Sequence, residues 1–205
     1  MNFFQSYLNG YVIDVQGGKP VQTSANGTVT GTPLDAYPMN YNPYSANPPS
    51  QQQLNSGLNQ LWKLVPGPIQ NSFFIQSMLS PGNSVIDITG NGGAGTSLQI
   101  YPMKPVSTPA QIESAKNQLW TIVPVTATPP PVPPPGVSFA ITYYWIQSVM
   151  DSNLVIDIRG GSKKADTPLQ VWTKNAPSTP TVSWDQFTAA SNQLWVQIPY
   201  YIRSQ

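Results

Sequence analysis

The chain has 205 residues, enough for one substantial core or two small ones, and its 9 basic and 8 acidic residues leave a net charge of +1. With only 8% of residues charged there is no basic face to neutralise a phosphate backbone and no polybasic stretch to hold an anionic membrane, so nucleic-acid and membrane partners are not expected. Cys and His are both absent, which removes disulfides, the usual zinc ligands and every Ser-His-Asp or Cys-His arrangement; no metal or cofactor is expected.

The N-terminus, Met1-Asn2-Phe3-Phe4-Gln5-Ser6, enters patterned sequence without a basic segment followed by a long apolar one. The expectation from this end is a soluble protein, cytoplasmic or released by a non-classical route. Val12-Ile13-Asp14-Val15 follows, then Gly17-Gly18, then Thr32-Pro33-Leu34-Asp35-Ala36-Tyr37. A stretch rich in Asn, Pro, Ser and Gln from Asn40 to Gly57 reads as a long surface loop, and Asn59-Gln60-Leu61-Trp62 comes next with Pro66 four residues beyond the Trp.

The same order then recurs. Phe74-Ile75-Gln76-Ser77 leads to Val85-Ile86-Asp87-Ile88, glycines from Gly90 to Gly95, Thr96-Ser97-Leu98-Gln99-Ile100-Tyr101, and Asn117-Gln118-Leu119-Trp120 with Pro124. After the Pro-rich segment 128–136, an extended polyproline II connector, a third copy runs through Trp145-Ile146-Gln147-Ser148, Val155-Ile156-Asp157-Ile158, Gly160-Gly161, Thr167-Pro168-Leu169-Gln170-Val171-Trp172 and Asn192-Gln193-Leu194-Trp195 with Pro199. Cutting at residues 1–69, 70–137 and 138–205 gives three units of about 68 residues. Each holds four short β-like runs between Gly, Pro and Asn clusters, and no segment sustains a helical period. About twelve short strands in three equal units suit one all-β domain over 1–205, closed with pseudo-threefold symmetry, because one unit alone cannot bury its apolar face.

Strand alternation places Ile86 and Ile88 on one face and Asp87 on the other, Leu98 and Ile100 inward, and Gln99 and Tyr101 outward. The same split separates Leu169 and Val171 from Gln170 and Trp172. If the glycine-rich interval folds the two strands into a hairpin, a carboxylate, an amide and an aromatic ring converge. That combination suits a sugar: the carboxylate accepts hydrogen bonds from neighbouring hydroxyls, and the ring covers the C–H patch of a pyranose.

On these residues the chain resembles the ricin B-type lectins, β-trefoils that carry a Gln-x-Trp signature in each of three repeats, here Gln60-Leu61-Trp62, Gln118-Leu119-Trp120 and Gln193-Leu194-Trp195. The resemblance spans nearly the whole chain and implies a non-catalytic lectin for galactose or N-acetylgalactosamine on glycoproteins or glycolipids. It implies sugar-binding residues Asp157, Gln170, Trp172 and Asn192 in the third repeat, and Asp87, Gln99, Tyr101 and Asn117 in the second. The first repeat offers Asp14, Tyr37 and Asn59 but carries Asp35 in place of the Gln, so a second carboxylate adds repulsion where an amide donor is expected.

Other readings stand beside this one. The Trp of each closing motif belongs to the core and the adjacent Gln is expected to bond backbone within its own repeat. The three Asp residues could simply cap glycine turns, although only eight acidic residues exist and three occupy one equivalent place. Arg159, Lys163 and Lys164 form a small positive cluster of the kind usually found on a solvated turn. Alternative functions are a protein-binding trefoil such as a protease inhibitor, the cell-recognition component of a toxin, and a glycosidase using Asp14 and Asp35 as paired carboxylates.

Overall fold

Runs of Val, Ile, Phe, Tyr and Trp broken by Gly and Pro become strands throughout the computed structural model, which describes residues 1–40, 56–79, 83–128, 141–177, 179 and 181–199. The greater part of the polar stretch 40–57 and of the Pro-rich connector 128–136 lies outside the described residues. The first repeat forms β1 (Asn2–Ser6), β2 (Val12–Val15), β3 (Gln22–Thr23), β4 (Val29–Thr30), β5 (Thr32–Tyr37) and β6 (Trp62–Pro66). The second forms β7 (Phe73–Ser77), β8 (Ser84–Ile88), β9 (Leu98–Pro102) and β10 (Trp120–Thr128). The third forms β11 (Tyr143–Ser148), β12 (Leu154–Ile158), β13 (Thr167–Thr173), β14 (Thr181–Ser183) and β15 (Trp195–Pro199). Removing β3, β4 and β14 leaves the expected four strands per repeat.

Those strands pair in three sets, each repeated three times. The antiparallel ladders β1–β15, β6–β7 and β10–β11 join each repeat to its neighbour. The hairpins β2–β5, β8–β9 and β12–β13 fold within a repeat. Pairings β5–β9 and β13–β5, with the bridge between Ser97 and Gln170, tie the hairpins to one another. The chain is thus all-β, with threefold pairing throughout.

The central core takes the inward residues of all three repeats, among them Ile13, Ile86, Ile156, Leu34, Leu98, Leu169 and the closing tryptophans Trp62, Trp120 and Trp195, all at most 1% exposed. The opposite faces of the hairpins are covered too. Val12, Val85 and Val155 sit at equivalent places and each anchors a satellite cluster, with Phe3 and Leu61, with Phe74 and Leu119, and with Trp145 and Leu194 respectively. Alternation therefore separates two buried environments here rather than core from solvent.

Among the described residues the short α-helices Pro109–Ser114 and Trp184–Ala189 depart from the all-strand expectation. Both begin with a reciprocal capping box, Thr108 with Gln111 and Ser183 with Gln186, and Pro109 adds a preset φ in the first turn. Six-residue helices give no room for a helical period, so periodicity misses them where the caps do not. No helix among the described residues is long and apolar enough to cross a membrane.

Candidate functional site

Hairpin register sets the chemistry of each repeat. Asp87 faces Gln99 across β8–β9, Asp157 faces Gln170 across β12–β13, and Asp14 faces Asp35 across β2–β5. Gln99 Nε2 donates to Asp87 Oδ1 at 2.9 Å, and Gln170 Nε2 to Asp157 Oδ1 at 2.9 Å. The other carboxylate oxygen accepts from the closing motif: Asn117 Nδ2 at 2.7 Å and Gln118 Nε2 at 3.0 Å on Asp87, Asn192 Nδ2 at 2.7 Å and Gln193 Nε2 at 3.0 Å on Asp157. In the first repeat, Asn59 and Gln60 make the same two bonds to Asp14 at 2.7 and 2.8 Å.

The Gln of the signature thus does more than bond backbone. Gln118 also donates to the Pro102 carbonyl at 3.0 Å and accepts from the Lys104 amide at 2.8 Å. Its equivalents Gln60 and Gln193 serve Pro38 and Asn40, and Thr173 and Asn175. The Trp two positions on donates its indole N–H, at 3.1 Å in every repeat, to the carbonyl just before the Asp: Ile13, Ile86 or Ile156. One four-residue motif therefore fixes both the backbone and the carboxylate of the site.

The carboxylates lie deeper than outward alternation implies. Asp14 and Asp87 are 3% exposed and Asp157 is 1% exposed, each roofed by its amide donors. Burial pushes the Asp87 and Asp157 carboxyls upward; the bonds from Gln99 and Gln118, and from Gln170 and Gln193, oppose it, as do the charges of Lys104 and Arg159. The first repeat lacks the Gln. Burial first, then the Asp14 charge, raises Asp35 to about 7, and burial raises Asp14 to about 6. Asp35 Oδ1 is buried without a hydrogen-bond partner among the described residues. Burial thus favours the protonated form of both carboxyls as pH falls toward neutral and below.

The aromatic residues stand one pair along the same hairpins, Tyr37 opposite Val12, Tyr101 opposite Val85, and Trp172 opposite Val155. Tyr37 and Tyr101 are half-buried, whereas Trp172 is 42% exposed. In the third repeat a pocket of about 510 Å³ opens between Asp157, Arg159, Gln170, Trp172, Asn175 and Asn192. All four residues expected there line it.

Several contributors were not foreseen. Lys104 Nζ donates to Asn117 Oδ1 at 2.7 Å and to the Ser114 carbonyl at 2.8 Å, capping the second site. Asn175 makes the equivalent bond to Asn192 Oδ1 at 3.2 Å. Each also carries the backbone amide that Gln118 or Gln193 captures, and its spacing from the aromatic residue, three positions in each repeat, is the signal that could have found it. Each site is also walled by a neighbouring repeat. Gly95, at φ +87, donates to the Val171 carbonyl at 2.8 Å, and a Cβ there would stand 3.3 Å from the Trp172 ring. A Cβ on Gly31 would overlap Gln99 and come within 2.9 Å of the Ile100 carbonyl. The third repeat has Asp166 at this position, with φ 59, beside the first.

This architecture is that of threefold-symmetric β proteins. Similar solved structures are the designed threefold-symmetric protein ThreeFoil (TM-score 0.57, 16% identity, 97% of each chain covered), and the C-half of an earthworm R-type lectin in complex with GalNAc (TM-score 0.52, 18% identity, 96% of each chain). A third is the ricin B-like lectin of Macrolepiota procera in complex with lactose, with a TM-score of 0.53 and 18% identity over 97% of this chain and 94% of that one. No protein-family model and no curated protein matches the chain.

Proposed function

We propose that the chain is a single β-trefoil lectin domain, non-catalytic, that binds galactose- or N-acetylgalactosamine-containing glycans through its hairpin sites. The observation that carries this reading is the third-repeat pocket, where an exposed Trp172 faces a hydrogen-bonded cluster of Asp157, Gln170 and Asn192. A pyranose stacked on the indole brings its hydroxyls to those polar groups. Asp87, Gln99, Tyr101 and Asn117 form the second site and Asp14, Asp35, Tyr37 and Asn59 a modified first one. The neighbours bound to GalNAc and to lactose support the sugar class. The Asp14–Asp35 pair does not suit glycoside cleavage, since the two carboxyls stand directly opposite on one hairpin, 3% and 1% exposed, with no room for a glycosidic bond between them.

A shallow monosaccharide site binds with a dissociation constant on the order of a millimolar, about 4 kcal/mol. Calorimetric titration with galactose and with N-acetylgalactosamine tests the reading. Trp172→Ala is expected to weaken binding about tenfold or more at that site. A folded protein that binds no glycan on an array would overturn it.

A further inference from the structure

We infer that the third-repeat site takes an acidic galactoside, one bearing a carboxylate or a sulfate, and that Arg159 is the residue that recognises the charge. This rests on the lectin reading of the same pocket and goes beyond it in naming the ligand's charge.

Arg159 comes two residues after Asp157 and lines the pocket that holds Trp172. Its guanidinium is held at two points. Nε donates to Gln170 Oε1 at 3.1 Å, and Nη2 reaches across the repeat boundary to Ser97 Oγ at 3.0 Å. A guanidinium has five N–H donors in a fixed plane, so these two bonds orient it and leave three donors for a ligand. Among the described residues the only ion pair within 4.0 Å joins Lys116 to Glu113, so no protein carboxylate occupies that fork.

Holding the hairpin together does not require this arginine. The second repeat has Thr89 at the equivalent position, and Gln99 still donates to Asp87 at the 2.9 Å seen between Gln170 and Asp157. The first repeat has Gln16 there. A cation at this position is found only in the third repeat, with the exposed indole; the second site's Lys104 is taken up by Asn117 and the Ser114 carbonyl.

The rim beside Arg159 is bare. Gly160 and Gly161, at φ 64 and 61, line the pocket, and a Cβ at either would meet nothing within 4 Å. An anionic substituent on a stacked sugar can therefore approach the guanidinium edge without a side chain in its way. Lys163, Lys164 and Asp166, all exposed, continue the same hairpin loop, which with Arg159 carries a net positive charge. A carboxylate and a sulfate both fit a fork of parallel N–H donors.

The test is calorimetric titration of the full chain with lactose, a sulfated lactose and a sialylated lactose, at low and at 0.5 M salt. The two acidic ligands separate the sulfate from the carboxylate as the preferred group. Wild-type protein is expected to prefer at least one of them to lactose by about tenfold at low salt, and the preference should shrink at high salt. Arg159→Gln should bring the acidic-to-neutral ratio close to one, and Arg159→Lys should retain part of it. If Arg159→Gln does not fold, the salt dependence of the wild-type ratio decides alone. Lactose binding with no acidic preference, or a preference that survives Arg159→Gln or high salt, would sink this inference and leave the lectin reading standing. Absence of binding to all three ligands by folded protein would remove both.

Discussion

Gln118 has no exposure and makes three hydrogen bonds: its amide N–H groups donate to Asp87 and to the Pro102 carbonyl, and its oxygen accepts from the Lys104 amide. Gln118→Ala strands the Pro102 carbonyl and the Lys104 amide and removes one of the two donors to Asp87 Oδ2, so it should cost about 2–4 kcal/mol, read from urea unfolding midpoints. Asp35 makes the opposite case, a buried group whose present partner is unfavourable. Its folded value of about 7 and that of Asp14, about 6, lie above the ordinary 3.8. The folded state therefore binds protons more tightly than the unfolded one, and stability present at acid pH is lost as pH rises through about 4 to 7. Asp35→Asn removes Asp35's share of that loss and supplies an amide donor beside Asp14 where the other repeats have Gln. It should raise the melting temperature by about 3 °C or more at pH 8 and change it little at pH 4.5, which scanning calorimetry at the two values checks. Both residues were visible in the sequence, Gln118 by its motif and Asp35 by its departure from Gln. Lys104 was not, and Arg159 reads only as part of a solvated turn, because both lie just past strand ends, where alternation no longer says which way a side chain points.

Each hairpin is legible by itself, since Val-Ile-Asp, a glycine turn and Leu-Gln-x-aromatic fix its register with Asp opposite Gln. What cannot be read from one repeat is that the turn of the next hairpin round forms its wall. Gly95 shows the consequence. Its left-handed φ and its approach to Trp172 both demand the absence of a side chain. Gly95→Ala should therefore cost about 1–2 kcal/mol in stability and also disturb a ring in another repeat. The expected outcome is a lower unfolding midpoint together with weaker galactoside binding at the third site, measured by calorimetric titration. Were stability to fall with binding unchanged, Gly95 would matter to its own turn alone. The short helices follow a similar rule: the Ser/Thr-x-x-Gln caps that start them are local and legible, whereas a six-residue span carries no period.

At the scale of the molecule, three copies in fixed order made threefold closure readable, because ladders between repeats must occur three times or leave edges unpaired. Sequence symmetry does not mean equal sites. The third carries an open pocket and an exposed Trp172, the second a lysine bonded over Asn117 and a half-buried Tyr101, the first a carboxyl pair. If all three hairpin sites bind sugar, as proposed, their different surroundings would give different intrinsic affinities and a graded response to glycan density. Once one site engages a coated surface, the others meet ligand at a local concentration that can reach millimolar, comparable to their own dissociation constants. Trp172→Ala and Tyr101→Ala each remove mainly exposed or half-buried aromatic area, so folding should survive both. On a dense galactoside surface either change should weaken binding by more than it does for the free sugar, and the double change should reduce surface binding to that of the first repeat alone. Surface plasmon resonance at high and low ligand density distinguishes this from a single working site, for which Tyr101→Ala would have no effect at either density.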